Sequence, residues 1–317
     1  MFKVYNYIYI MLITFSIIIM VSSNNWMSMW MGLELNMMSF IIFSMMKYNK
    51  FNSECLCKYF IIQSFSSMIL MFFIISSIMN FFFEWFFFLI LLIKLGMFPF
   101  HYWMIDMGTS ISWNSLFFLL TIQKLGPLII MSNFINHLTL MFIIMSSIFC
   151  SFLGISQVLV KKILVYTSIF HLSWIMLSIY LNFNLLMTYL LSYIISSYYL
   201  GFMCNKVNFN HLSSYSNLLD NNSFIGIIFS LMGLPPFFGF FTKWVMIINM
   251  LKDEFMFMTL IFIFSSLLNM YTYMRLMYYI YMLSSMKWMM KSNKMNFGKN
   301  FLMKFFLLFM LIPFCFN

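Results

Sequence analysis

The sequence predicts an all-α polytopic membrane protein of about eleven transmembrane helices. Three observations predict it. Hydrophobic residues make up 64% of the 317 and charged residues only 8%, where a soluble domain carries about 25% charged. The apolar residues come in runs close to the roughly 20 that a helix needs to cross a bilayer. The lysines gather in connections that fall on one side when those runs are threaded through a membrane.

The spans follow in order. The first, 4–22, is long enough to cross, and no small-residue cleavage site follows it, so it is read as a helix and not as a leader. The next are 26–46, 58–80, 84–103, 113–132, 138–159, 164–182, 184–205, 223–250, 256–284 and 301–316. The polar stretches 205–222 and 287–299 read as loops outside the membrane. No Pro/Gly/Ser-rich linker divides the chain, so residues 1–317 form a single transmembrane domain. Threaded this way, Lys3, Lys47, Lys50, Lys58, Lys161, Lys162, Lys206, Lys287, Lys291, Lys294, Lys299 and Lys304 share one side. The other side holds only Lys252, flanked by Asp253 and Glu254. That asymmetry is the one that orients membrane proteins. The net charge of +10 thus reflects topology and contact with anionic lipid. It does not point to nucleic acid, because no basic patch with interleaved aromatics stands outside the spans.

Alanine is absent, Arg275 is the only arginine, and there are 37 methionines and 44 phenylalanines. Alanine is the best helix former, so helix propensity alone did not shape this chain. The enriched residues are those with A/T-rich codons, and the methionine count fits a code that reads ATA as methionine. Both point to the AT-rich mitochondrial genome of an invertebrate. The lysine-rich side, with the N-terminus, is then the matrix side of the mitochondrial inner membrane. Of the five cysteines only Cys55 and Cys57 are close, and that spacing is not a metal framework.

Three lysines fall inside spans: Lys94, Lys124 and Lys243. Each stands near a proline: Pro99, Pro127, and the Pro235–Pro236 pair. A charge at membrane depth costs about 3 kcal/mol on insertion scales, and proline opens a helix. Gly96-Met-Phe-Pro99-Phe in span 4 is echoed by Gly233-Leu-Pro-Pro236-Phe in span 9. Spans 4 and 9 are therefore expected to break at Gly96, Pro99, Gly233, Pro235 and Pro236, with a further break at Pro127. An odd number of helices between equivalent points reverses orientation. The echo thus predicts two inverted five-helix repeats, about 4–132 and 138–284, followed by a final helix at 301–316. Glu34 is the one acidic residue well inside a span. Glu84 and Asp106 are expected at the interface, and Arg275 can snorkel to the surface. Desolvation favours neutral lysine and a carboxylate favours the ammonium, so Glu34 beside Lys94 would make a proton switch. Static ion pairs gluing helices are the alternative. His101 and His137 are expected at helix ends near an interface and His211 in a loop. His171 lies within span 7, as a neutral hydrogen-bonded residue or a possible proton relay. No nucleotide, flavin, iron–sulfur or metal motif is present, so no cofactor site is assigned to this chain.

The segments WMGLELN at 30–36, KLGMFPFHYW at 94–103, ISW at 111–113, QKLGPL at 123–128 and GLPPFFGFFTKW at 233–244 resemble the antiporter-like membrane-arm subunits of NADH:ubiquinone oxidoreductase, respiratory complex I. Their order and spacing match along nearly the whole chain. The resemblance implies a proton-translocating subunit with a fold of fourteen helices in bacteria, reduced to eleven in many animals. It implies that Glu34, Lys94, Lys124 and Lys243 form the translocation axis. It also implies that NADH, FMN, iron–sulfur clusters and ubiquinone are handled by partner subunits, among them neighbouring antiporter-like subunits. Met97 and Phe98 depart from the small residues usual between that glycine and proline, and Lys161-Lys162 stands where the family often has Arg-Lys. A stand-alone cation/proton antiporter of the same fold is the alternative reading.

Overall fold

The computed structural model describes residues 2–45, 50–76, 81–133, 137–207, 222–235 and 237–288. The expected final helix, the loop holding His211, and Pro236 lie outside the described residues. Among those described there are thirteen helices and no strand. They are α1 Phe2–Ser22, α2 Trp26–Met45, α3 Lys50–Ser76, α4 Phe81–Leu95, α5 Tyr102–Ser110, α6 Trp113–Leu120, α7 Ile122–Met131, α8 His137–Ile155, α9 Val160–Leu181, α10 Phe183–Val207, α11 Asn222–Met232, α12 Phe238–Lys252 and α13 Met256–Trp288. Among the described residues five stretches are long and apolar enough to cross a membrane: Phe51–Ile75, Trp113–Met131, Val160–Leu181, Phe183–Asn205 and Met256–Tyr278.

The polarity runs opposite to that of a water-soluble protein. Phe65, Met68, Phe72 and Ile75 of α3, and Phe257, Leu260, Phe264 and Leu267 of α13, are exposed, while Asn36, Gln63, Lys94, Lys124, His171 and Asn269 are buried. Hydrocarbon cannot satisfy polar groups, so they turn inward. Buried serines bond back into their own helix, as Ser146 does to the Ile143 carbonyl at 2.9 Å and Ser173 to that of Phe170 at 2.7 Å.

The chain forms two compact units, Met1–Ser146 and Ser147–Asn317. In the first, α2 packs on α1 and α3, α3 on α4 and α5, and α7 on α1, α2 and α4. Two glycines let these helices close on Met20. A Cβ on Gly32 would stand 2.4 Å from Met20 Cγ, and one on Gly126 2.8 Å from Met20 Cε. Trp30 Nε1 donates to the Ser67 carbonyl at 3.0 Å, tying α2 to α3. In the second unit, α9 packs on α10, α12 and α13, and most of Val160–Ser178 is buried. A helix apolar all round belongs in such a core.

The structure departs from the sequence expectations at five places. Pro127 lies inside α7, and the interruption of that span falls upstream at Thr121, between α6 and α7. Packing of α7 on three neighbours holds the helix through the proline, and the discontinuity moves to the preceding turns. The third helix begins at Lys50 and not near 58, because a polar first turn extends it beyond the apolar run. Asp106 belongs to α5 instead of following a helix, and pairs with Lys58 at 3.8 Å. His101 stands at a helix end as expected, as the N-cap of α5, but is buried there, its Nδ1 3.2 Å from the Pro99 carbonyl. Arg275 does turn toward the α8–α9 connection, where Ser156 is exposed, but its head is half-buried and held by backbone instead of standing free in solvent. Its guanidinium donates to the carbonyls of Ile155 and Gln157, and to that of Gly154 at 3.5 Å. The last carbonyls of α8 lack helical partners, and a planar five-donor group meets several at once.

Candidate functional site

The two breaks that the glycine–proline echo anticipates are built alike. α4 stops at Leu95 and α5 starts at Tyr102; α11 stops at Met232 and α12 starts at Phe238. Gly96 has φ +66° and Gly233 φ +80°, a left-handed backbone that glycine adopts without cost. At the first break, Gly96 N–H donates to the Ile93 carbonyl and Met97 N–H to that of Leu92, both at 3.2 Å. At the second, Gly233 N–H donates to Ser230 at 3.2 Å and Leu234 N–H to Phe229 at 3.3 Å. Both are Schellman caps with glycine just past the helix end.

Such a cap leaves the last two helical carbonyls unmet, and the two units answer differently. In the first, Gln63 Nε2 donates to the Lys94 carbonyl at 3.3 Å, while Trp103 Nε1 adds a second bond, at 3.0 Å, to the Ile93 carbonyl that already accepts from Gly96. In the second, Lys243 Nζ itself donates to Met232 at 3.0 Å and Leu231 at 3.4 Å. A cation at the carbonyl end of a helix also meets the negative end of its dipole. The Phe170 ring lies 5.9 Å from the same ammonium, within reach of a cation–π attraction.

Each break opens on a small polar cavity. In the first unit, Lys94 and Lys124 line one cavity together with Asn36, Tyr59, Gln63 and Gln123. It offers about 30 Å³ to water centres, where about 10–15 Å³ suffices for one water. Glu34 is half-buried on α2 and lies within electrostatic range of Lys94. The two make no contact within 4.0 Å: the ion pairs among the described residues are Lys58–Glu54 and Lys58–Asp106. In the second unit, Lys243 lines a cavity of similar size with His171, Tyr189, Tyr193, Ser230 and Thr242. His171 Nδ1 shares a hydrogen bond with the Tyr189 hydroxyl at 2.9 Å. The three lysines are 4–8% exposed.

The structure thus groups Glu34, Lys94 and Lys124 in one unit, and His171 and Lys243 in the other. Sequence reasoning missed Asn36, Gln63, Gln123 and Tyr189. A signal existed for the amides: the chain has three glutamines, Gln63, Gln123 and Gln157, and two of them face the lysine cavity. Among the described residues no group of three His, Cys, Asp or Glu is placed to hold a metal.

Paired units with a buried lysine beside a glycine-capped helix break define an antiporter-like membrane protein. The chain belongs to the NADH:quinone oxidoreductase/Mrp antiporter transmembrane family, whose profile matches residues 23–79 and 71–269. It is 36% identical over 312 residues to NADH-ubiquinone oxidoreductase chain 2 of Anopheles gambiae, covering 93% of this chain and 92% of that one. It is 40% identical over 310 residues to the same chain of Rhipicephalus sanguineus, covering 96% and 97%. Its fold is similar to a chain of respiratory complex I from Thermus thermophilus, with TM-score 0.78 and 17% identity over 87% of this chain and 70% of that one. It is also similar to a chain of the Mrp complex from Dietzia, with TM-score 0.77 and 14% identity over 84% and 59%.

Proposed function

We propose that this chain is a proton-translocating, antiporter-like subunit of the complex I membrane arm, of the chain 2 type. It takes part in H+-translocating NADH:ubiquinone oxidoreduction, with the electron transfer itself carried by partner subunits. The observation that carries this reading is a buried lysine, beside a glycine-capped helix break, facing a water-sized cavity in each unit. A buried amine with water at hand can take up and release a proton, and a charge at such depth is costly to keep. The likeness to chain 2 relatives along most of their length, and the lysine at position 243, favour chain 2 over its sister subunits.

The finer reading has several parts. The thirteen described helices make ten spans if α4 with α5, α6 with α7, and α11 with α12 each cross once; the eleventh expected span, 301–316, lies outside the described residues. The two breaks are equivalent points of inverted repeats, about 4–132 and 138–284, which their shared capping pattern supports. Glu34, Lys94, Lys124 and Lys243 are the proton-carrying set, and His171 joins Lys243. The chain sits in the mitochondrial inner membrane with its N-terminus in the matrix, against neighbouring membrane-arm subunits and anionic lipid. NADH, FMN, iron–sulfur clusters and ubiquinone are bound by partners. A stand-alone cation/proton antiporter is disfavoured, because metal cations of this kind are held by several oxygen ligands and Glu34 is the one carboxylate at depth.

The test replaces Lys124 with methionine, which keeps length and removes the charge. In sealed inner-membrane vesicles the complex should still assemble, and NADH-driven proton pumping should be abolished or strongly reduced. Pumping and NADH oxidation at wild-type rate and ratio would remove Lys124 from the pathway. Native-gel fractionation with mass spectrometry separates the two readings: the chain should migrate with complex I and not alone.

A further inference from the structure

We infer that the Asn36–Gln123 amide pair is a positioning element that holds water between Lys94 and Lys124 and so governs proton passage between them. The inference rests on the reading of both lysines as proton carriers. Gln123 Nε2 donates to Asn36 Oδ1 at 3.1 Å, and both side chains line the cavity that the two lysines share. The pair joins α2 to α7. Gly32 and Gly126, closing on the same Met20, fix the approach of those helices and with it the contact between the amides.

The chemistry of the pair suits the task. Each amide has one carbonyl acceptor and an NH2 with two donors. When one amide donates to the other, the donating amide keeps a free carbonyl and the accepting amide keeps a free NH2. This holds whichever way round the two are placed. The pair therefore offers cavity water an acceptor at one end and a donor at the other, which orients the water between two nitrogen centres. An amide also carries no titratable charge. A carboxylate in its place would hold each proton on the nearer lysine, and an apolar side chain would leave a water without the polar partners it needs.

The step balances without a further reactant. An N–H bond of the Lys94 ammonium breaks as the held water's oxygen takes the proton. An O–H bond of that water breaks as the neutral Lys124 amine takes one. Water is restored, the charge has moved from one lysine to the other, and the amides have exchanged nothing.

Gln123→Met and Asn36→Leu keep the side-chain volume and remove one amide; each leaves its buried partner amide unmet, so assembled complex is first quantified on native gels and turnover is expressed per assembled complex. Each variant is assayed as assembled complex in sealed vesicles for NADH-driven pumping, in H2O and in D2O. Coupled turnover should fall about two- to tenfold, the scale of one net hydrogen bond. The solvent isotope effect should rise, because proton passage becomes the slow step; a packing role would leave it unmoved. Asn36→Gln and Gln123→Asn alone should each slow turnover, and together they should recover most of the loss, since the combined length is restored. The inference is overturned if Gln123→Met turns over at wild-type rate with an unchanged isotope effect while Lys124→Met is inactive, or if the double exchange recovers nothing. Wild-type pumping by Lys124→Met would instead overturn the lysine reading, and this inference with it.

Discussion

Lys243 does two jobs with one ammonium group: it satisfies the carbonyls of Leu231 and Met232, and it is the ionisable group of its cavity. Two substitutions separate these. Glutamine keeps a donor that reaches the Met232 carbonyl directly or through a water, and methionine keeps neither donor nor charge. A buried carbonyl left unmet costs about 1–3 kcal/mol. Lys243→Gln should therefore assemble to higher levels than Lys243→Met on native gels, while both fail to pump. Equal assembly of the two would mean that the carbonyl contact adds nothing to the fold. Glu34 works differently, because it makes no ion-pair contact with Lys94 and can act on it only through the field between them. Coulomb attraction is about 4 kcal/mol at 4 Å with an effective dielectric near 20 and is smaller at the longer separation seen here. Glu34→Gln should then weaken pumping without abolishing assembly, and its effect should be smaller than that of Lys124→Met. An assembled Glu34→Gln complex with wild-type proton stoichiometry and rate would remove Glu34 from the switch.

At the scale of the element, glycine decides where the helices stop. The left-handed Gly96 and Gly233 make the caps, and Gly239 lets α12 lie against the end of α11. A Cβ on Gly239 would come within 1.8 Å of the Ser230 carbonyl oxygen, while one on Gly233 would meet the flexible end of Lys243 at 3.1 Å. A backbone oxygen cannot yield as a side-chain end can. Gly239→Ala should thus reduce assembled complex more than Gly233→Asn, because asparagine tolerates the left-handed backbone. Native-gel yield measures both, and the reverse order would refute the argument. These elements also mark how far the sequence could be read. The G-x-x-P-F echo located both breaks, because glycine and proline act locally. Pro127 misled, because proline's local cost was overridden by the packing of α7 on α1, α2 and α4. Arg275 and Gln63 were equally illegible, since their partners are carbonyls far away in the chain. The ionisable side chains were found because charge in an apolar span is conspicuous. The amides that join them were passed over because a neutral polar residue in such a span is not.

At the scale of the molecule, the threading makes a claim that the second unit can test alone. The exposed Ser156 follows α8, and the exposed Asp253 follows α12. Between them lie α9, α10, α11 and α12. If α11 and α12 form one interrupted crossing, three spans separate the two positions, and they lie on opposite faces. If the break at Gly233 turns the chain back instead, the number of crossings is even and both lie on one face. The charges favour the first: Lys161 and Lys162 follow Ser156 closely, whereas Asp253 and Glu254 surround Lys252, and basic residues collect on one side. The first unit gives a parallel case. Lys58 near the start of α3 pairs with Asp106 of α5 at 3.8 Å, so the near end of α3 and the far end of the interrupted α4–α5 segment meet at one face, as two antiparallel crossings require. Cysteines placed singly at Ser156 and Asp253, with the exposed Cys57 replaced by serine, should react from opposite sides with a membrane-impermeant maleimide in sealed vesicles. In vesicles oriented with the matrix face outward, Ser156→Cys should label before lysis and Asp253→Cys only after it. Labelling of both from the same face would mean that α11 and α12 do not cross together. The inverted-repeat reading would fall with that result, while the lysine cavities inside each unit would stand.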